Sequence, residues 1–265
     1  MGIEKKNRPE EIDIFVKVLT SIGTAILENG GETSRAEDAV TRICRGHGKD
    51  VDVLVIPTGV FVSVSENGTH YTTLIKRVKK RTTNLDRLDR INTLSRELSE
   101  KRIGFYDALI RCETICRSGK NKSDRWLIPL YTGLSSGFFS LLFNGMWFDF
   151  MTAFISGFIV QFIAMSFRRT DVFHFLMSLI GGSVCAAIAV IAVNIAHMGS
   201  VNIMVISSIT PLLPGLAMIK AIRDTMTGDL VSGTARFAEV AVVAVSLAVG
   251  AGVVLTIARF FGGII

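Results

Sequence analysis

Charge is what the second half of this chain lacks. The 265 residues contain 29 Lys and Arg and 23 Asp and Glu, yet residues 126–265 hold only 6 of the former and 5 of the latter. A soluble domain rarely leaves so long a stretch so poorly charged, so the chain reads as two parts in two solvents. Cysteine is scarce as well. Cys44, Cys112, Cys116 and Cys185 outline no disulfide framework, and the Cys112/Cys116 spacing of one helical turn is not a zinc signature and has no matching pair of histidines. These read as reduced structural thiols, and neither a metal nor another cofactor is expected. No G-x-x-x-x-G-K-S/T stretch is present, which excludes ATP use by that route. No H-E-x-x-H, nucleophile elbow or paired CxxC points to an enzyme. The opening residues are polar and charged and lead into an amphipathic pattern, so no secretory signal is expected there.

Residues 1–125 read as a small α+β domain. Ile12, Phe15, Val16, Leu19, Ile22 and Ile26 recur at helical spacing over 10–29, and Asn29-Gly30-Gly31 supplies a stop. Ser34 with Glu37 fits a capping box that opens a second helix running to about Gly46. Strands are predicted over 51–56, 59–65 and 70–76, with a turn at Pro57-Thr58-Gly59 and a hairpin at Asn67-Gly68. The basic run at 76–81 (KRVKKR) reads as a solvated face or a patch near anionic headgroups. Without a base-stacking motif beside it, no nucleic-acid partner is expected. Asn84 caps a predicted helix over 85–100 with Leu85, Leu88, Ile91, Leu94 and Leu98 on one stripe, and a further helix covers about 104–117.

Residues 126–265 read as a membrane α-helical bundle of about five spans, at 126–143, 146–167, 172–196, 201–221 and 237–258. Lys and Arg gather before the first span, at Arg168-Arg169, and at Lys220, Arg223 and Arg236, while the other two loops have none. The positive-inside rule then puts the N-terminus in the cytoplasm of a multi-pass inner-membrane protein. Trp126 and Trp147 fall at predicted interfaces.

The fourth span carries the chemistry. Pro211, Pro214 and Gly215 interrupt an apolar helix and free backbone carbonyls, which persist in lipid only where protein, water or a solute satisfies them. Ser207, Ser208 and Thr210 add hydroxyls beside the break. Broken helices of this kind hold substrate in secondary transporters, although a kink satisfied by its own hydroxyls is an equal reading. Arg223 and Arg236 can offer guanidinium forks to a carboxylate, or can pair with Asp224 and Asp229 as a structural lock. Asp224, Asp229 and Glu239 are the candidate proton carriers.

Two stretches carry a family resemblance. Residues 30–37 (GGETSRAE), with Glu32, Thr33, Arg35 and Glu37, resemble the opening motif of the threonine/serine exporter family. The block from Pro214-Gly215 through Arg223-Asp224, Gly228-Asp229 and Ser232-Gly233 to Arg236 resembles that family's second signature. The resemblance implies a proton-coupled exporter of small carboxylate-bearing metabolites, threonine and serine or a dicarboxylate such as succinate. It also implies that this chain is the larger half of a split exporter, completed in the bilayer by a second small membrane subunit. The competing readings are a membrane-anchored sensor or interaction subunit, and a membrane-anchored hydrolase using Glu32, Asp38, His47, Asp50 or Asp52.

Overall fold

The computed structural model describes residues 8–66, 70–79, 81–118, 124–167 and 174–262. The Asn67-Gly68 turn, Lys80 of the basic run, Lys120 and Lys122, and Arg168-Arg169 lie outside the described residues. The chain forms two compact units. One comprises Met1–Gly119 with Ile219–Arg236; the other comprises Lys120–Met218 with Phe237–Ile265.

In the first unit, α1 (Arg8–Glu28) is the central element. It packs against α2 (Thr33–Gly46), α4 (Phe105–Arg117), β2 (Gly59–Glu66) and β3 (His70–Arg77). Phe15, Leu19, Ile22 and Ile26 of the predicted stripe are fully buried, and so are Val18 and Leu27 off it. A helix covered on several sides buries more than one face, and each large apolar side chain so buried contributes roughly 1.5–3 kcal/mol. The helix ends as the glycine pair requires. Gly30 adopts φ +91°, Gly30 N–H donates to the Leu27 carbonyl, and Gly31 N–H donates to that of Ile26, which is the Schellman arrangement.

The capping box predicted at Ser34 is not formed. The helix starts two residues earlier than a cap at Ser34 would set, with Glu32 as the N-cap and no side-chain bond to it. Glu37 instead accepts from the Val55 N–H at 2.9 Å and ties α2 to β1 (Asp50–Ile56). The sheet is antiparallel in the order β1-β2-β3. Val55, Val60, Val62 and Val64 are buried on its inner face. Asn84 caps α3 (Leu85–Ser99) by accepting from the Arg87 N–H at 3.1 Å. Leu88, Ile91, Leu94 and Leu98 of that stripe are buried, whereas Leu85 is exposed at the first position of the helix.

The second unit is built from α5 (Asp124–Leu142), α6 (Trp147–Ser166), α7 (His174–Ala196), α8 (Val201–Ile209), the first residues of α9 (Gly215–Met226) and most of α10 (Leu230–Phe260). Among the described residues, α6, α7 and α10 are long and apolar enough to cross a membrane, and α8 with α9 makes a fourth candidate if the bent pair is one span; the apolar helix ending at Leu142 is shorter. The fourth segment is broken where the prolines lie. A single 3₁₀ turn covers Thr210–Leu212, and the two helices meet at 56°. Predicted to end at 221, it continues to Met226, and the last helix begins at Leu230, seven residues before its predicted start at 237. Both extensions belong to the first unit. α7 and α10 approach closely through small residues. A Cβ on Gly182 would strike the Leu247 carbonyl, one on Gly250 would strike that of Leu179, and Ser183 Oγ donates to the Gly250 carbonyl at 3.1 Å. Close backbone approach of this kind replaces the hydrophobic driving force that lipid cannot supply.

Candidate functional site

Two sites emerge, one in each unit. In the first unit, the end of α9 and the first turns of α10 form a hairpin whose polar side chains meet the start of α2. Asp224 is fully buried and lies 2.9 Å from Arg236 Nε, itself 8% exposed. Nε and Oδ2 meet by distance without the alignment of a hydrogen bond, so charge rather than a linear bond holds the pair. The other oxygen of Asp224 accepts from Thr33 Oγ1 at 3.3 Å, and Arg236 Nη2 reaches the Gly31 carbonyl at 3.5 Å. Arg223 projects from the neighbouring turn and pairs with Glu32 at 3.0 Å, with its own side chain 55% exposed. Lys220 stands one turn before Asp224, its Nζ against Gly30.

Local sequence places these groups. Lys220 and Asp224 are four apart on one helix, and Ser232 and Arg236 are four apart on the next, so each pair shares a face. Gly233 lets the two helices close. A Cβ there would collide with the Thr225 hydroxyl and would lie 2.9 Å from its backbone nitrogen. Asp229 immediately precedes α10 and accepts from the Ser232 N–H at 3.0 Å. Burial works upward on its carboxyl, but donors on Ser232 and Thr33 and the Arg236 charge outweigh it and hold the group below the ordinary carboxylate range. Burial pushes the Glu37 carboxyl up, against the opposing effect of its bond from Val55. Arg35 is exposed on the outer side of α2.

In the second unit a cavity of about 350 Å³ lies between α6, α7, the break before α9, and α10. Its wall is apolar, with Val160, Ile163, Gly181 and Leu247 on it, and both Leu212 and Pro214 reach it from the break. Glu239 is its one ionisable lining side chain among the described residues, and Ser178 adds a hydroxyl. The cavity therefore combines a proline-interrupted backbone with a single carboxylate in an apolar wall.

The predicted residues divide between these places. Pro214 and Glu239 come together at the cavity. Ser207, Ser208, Thr210, Pro211 and Gly215 do not line it. Ser207 and Thr210 donate to carbonyls of their own helix, those of Ile203 and Ile206. The Ser208 hydroxyl is buried without a hydrogen-bond partner among the described residues. Arg223, Asp224, Asp229 and Arg236 lie in the first unit with Glu32, Thr33 and Glu37. Among the described residues no group of three or more metal-ligating side chains occurs.

One organising residue escaped the sequence reading. Asp149 is 2% exposed at the start of α6, accepts from the Met146 N–H at 2.7 Å, and accepts from the Ser200 N–H at 2.9 Å. It thus caps one apolar helix and clasps the entry to α8. The signal was available, since a lone carboxylate in the first turn of an apolar run complements the helix N-terminus.

Known proteins supply the remaining test. A Klebsiella aerogenes protein named "Probable succinate transporter subunit YjjP" is 22% identical over 232 residues, covering 87% of this chain and 89% of that protein. "Pheromone-regulated membrane protein 10" of Yarrowia lipolytica is 25% identical over 249 residues, covering 88% of this chain, which spans 20% of the yeast protein. No solved structure matches. The profile of the threonine/serine exporter family, ThrE, matches residues 17–258, nearly the whole chain, and the two motifs on which the resemblance rested are those that meet at Thr33–Asp224 and Glu32–Arg223. This multi-pass membrane protein belongs to the ThrE threonine/serine exporter family.

Proposed function

We propose that this chain is one subunit of a proton-coupled secondary exporter of small carboxylate-bearing metabolites, either threonine and serine or a dicarboxylate such as succinate. In this reading residues 1–125 form a cytoplasmic domain, five segments of residues 126–265 enter the inner membrane, and a second small membrane subunit completes the exporter. The observation that carries it is the break at residues 210–214 opening on a cavity with Glu239 in its wall. Interrupted helices expose unpaired backbone groups at the depth where a solute can use them. Ionisable side chains that face a cavity among apolar helices serve as proton carriers in secondary transporters, and Glu239 is placed for that part.

The polar cluster of the first unit has a different part. Arg236 is committed to buried Asp224, so it serves as a lock holding the α9–α10 hairpin to α2. Arg223 remains half exposed beside Glu32 and is the guanidinium that can draw a carboxylate toward the transporter. The name of the Klebsiella aerogenes relative supports both the subunit reading and the dicarboxylate.

The test is efflux of labelled threonine, serine and succinate from cells lacking this gene, complemented with the chain alone, with its partner subunit, and with Glu239→Gln. Restored efflux of one substrate that requires the partner and is abolished by Glu239→Gln is expected. Unchanged efflux of every substrate in the deletion strain overturns the reading.

A further inference from the structure

The outer face of the three-stranded sheet has no role in either site. Register places Leu54, Phe61 and Ile75 in one row across β1, β2 and β3. Leu54 is 57% and Ile75 62% exposed, with Phe61 half-buried between them. Apolar side chains scattered singly on a surface need no explanation, but a contiguous row across all three strands does.

Charge polarises the same face along the strands. In the next row toward one end Arg77 pairs with Gly59 beside the exposed Thr58 turn, and exposed Lys79 and Arg81 follow directly. The opposite end carries exposed Asp50 and Asp52. An apolar row bordered by cations at one tip and anions at the other complements an interface that is apolar inside and negative outside. That is the chemistry of an anionic bilayer surface, which attracts basic residues by about 1 kcal/mol each, or about fivefold in the docked-to-undocked ratio.

We propose that the tip of the sheet formed by Leu54, Phe61, Ile75, Arg77 and Lys79 docks on the surface of an anionic bilayer. The apolar row enters the headgroup region, and the Asp50–Asp52 end stays in water. The proposal rests on the chain being a membrane protein and is independent of the substrate or its coupling.

The test uses the full chain in lipid nanodiscs, on a Cys116→Ser background because the other three cysteines are buried. A fluorophore is placed at Thr58→Cys, at the basic tip, or at Ser65→Cys, toward the acidic end, and quenched by headgroup-labelled nitroxide lipid. Quenching at position 58 is expected to be stronger in discs containing phosphatidylglycerol than in purely zwitterionic phosphatidylcholine discs, and to fall at about 1 M salt, where charges are screened within about 3 Å. Arg77→Glu with Lys79→Glu should return it to the zwitterionic level, while position 65 stays unquenched throughout. Equal quenching at 58 in both lipids overturns the proposal, as does quenching that survives charge reversal. A signal that follows protein concentration would assign the face to a second copy of the chain, and one that follows added RNA would assign it to nucleic acid; either overturns lipid docking.

Discussion

Asp229 illustrates how one carboxylate can serve fold and pH response together. It accepts from the Ser232 N–H at the start of α10, and its carboxyl is held below the ordinary range. A depressed carboxylate stabilises the fold above its unfolded-state value, and that contribution is lost as pH falls through the lower folded value. Asp229→Ala should therefore destabilise the detergent-solubilised protein by about 1 kcal/mol at neutral pH, with the gap to the parent closing as pH drops below about 4, read from thermal unfolding. The buried Arg236–Asp224 pair predicts a larger effect. Arg236→Ala strands a buried charge and should cost about 3–5 kcal/mol, whereas Asp224→Leu with Arg236→Met should be far milder than either single change. Cys116 offers a chemical readout. The Cys112 thiol donates to its sulfur, pulling Cys116 down to about 7 while Cys112 is pushed up, and burial pushes Cys44 up to about 12. Maleimide should label Cys116 first of the four, at a rate that rises with pH through about 7 and levels off above it, followed by mass spectrometry.

At the scale of elements, patterning located the helices and strands closely but misjudged their ends. The stripe on α1, the cap at Asn84 and the stop at Gly30 depend on local spacing and backbone freedom, so they could be read directly. Ser34 could not, because the Glu37 carboxylate has a better partner in the Val55 N–H, from a strand 18 residues away. The fourth apolar segment was legible as broken, since proline removes a donor wherever it sits. The size of the bend and the residues it turns toward the cavity depended on neighbours. Here the break itself can be tested: Pro214→Ala should restore helical bonding, reduce the 56° bend and abolish efflux while the protein still inserts in the membrane. Gly250→Leu tests the α7–α10 crossing instead, since no rotamer fits against the Leu179 carbonyl; loss of a monodisperse detergent-solubilised species is the expected outcome.

For the whole molecule, composition alone separated a charged part from an apolar one, because the two solvents demand different surfaces. The family was legible from residues 30–37 and 214–236, and the match over residues 17–258 agrees. What local patterning could not decide is that these motifs are one structure. Arg223 and Arg236 carry the same charge and lie 13 residues apart, yet one is half exposed beside Glu32 and the other is buried against Asp224. Long-range packing made that distinction, since partners 191 residues away in sequence set which charge is desolvated. Asp149 and Ser200 meet for the same reason. Residue order determined the split between charged and apolar parts, the helical and strand periods and the break in the fourth apolar segment, because each follows from local chemistry. Tertiary structure alone decided which side chains share the cavity and which share the lock, because proximity between distant residues is a property of the packed chain.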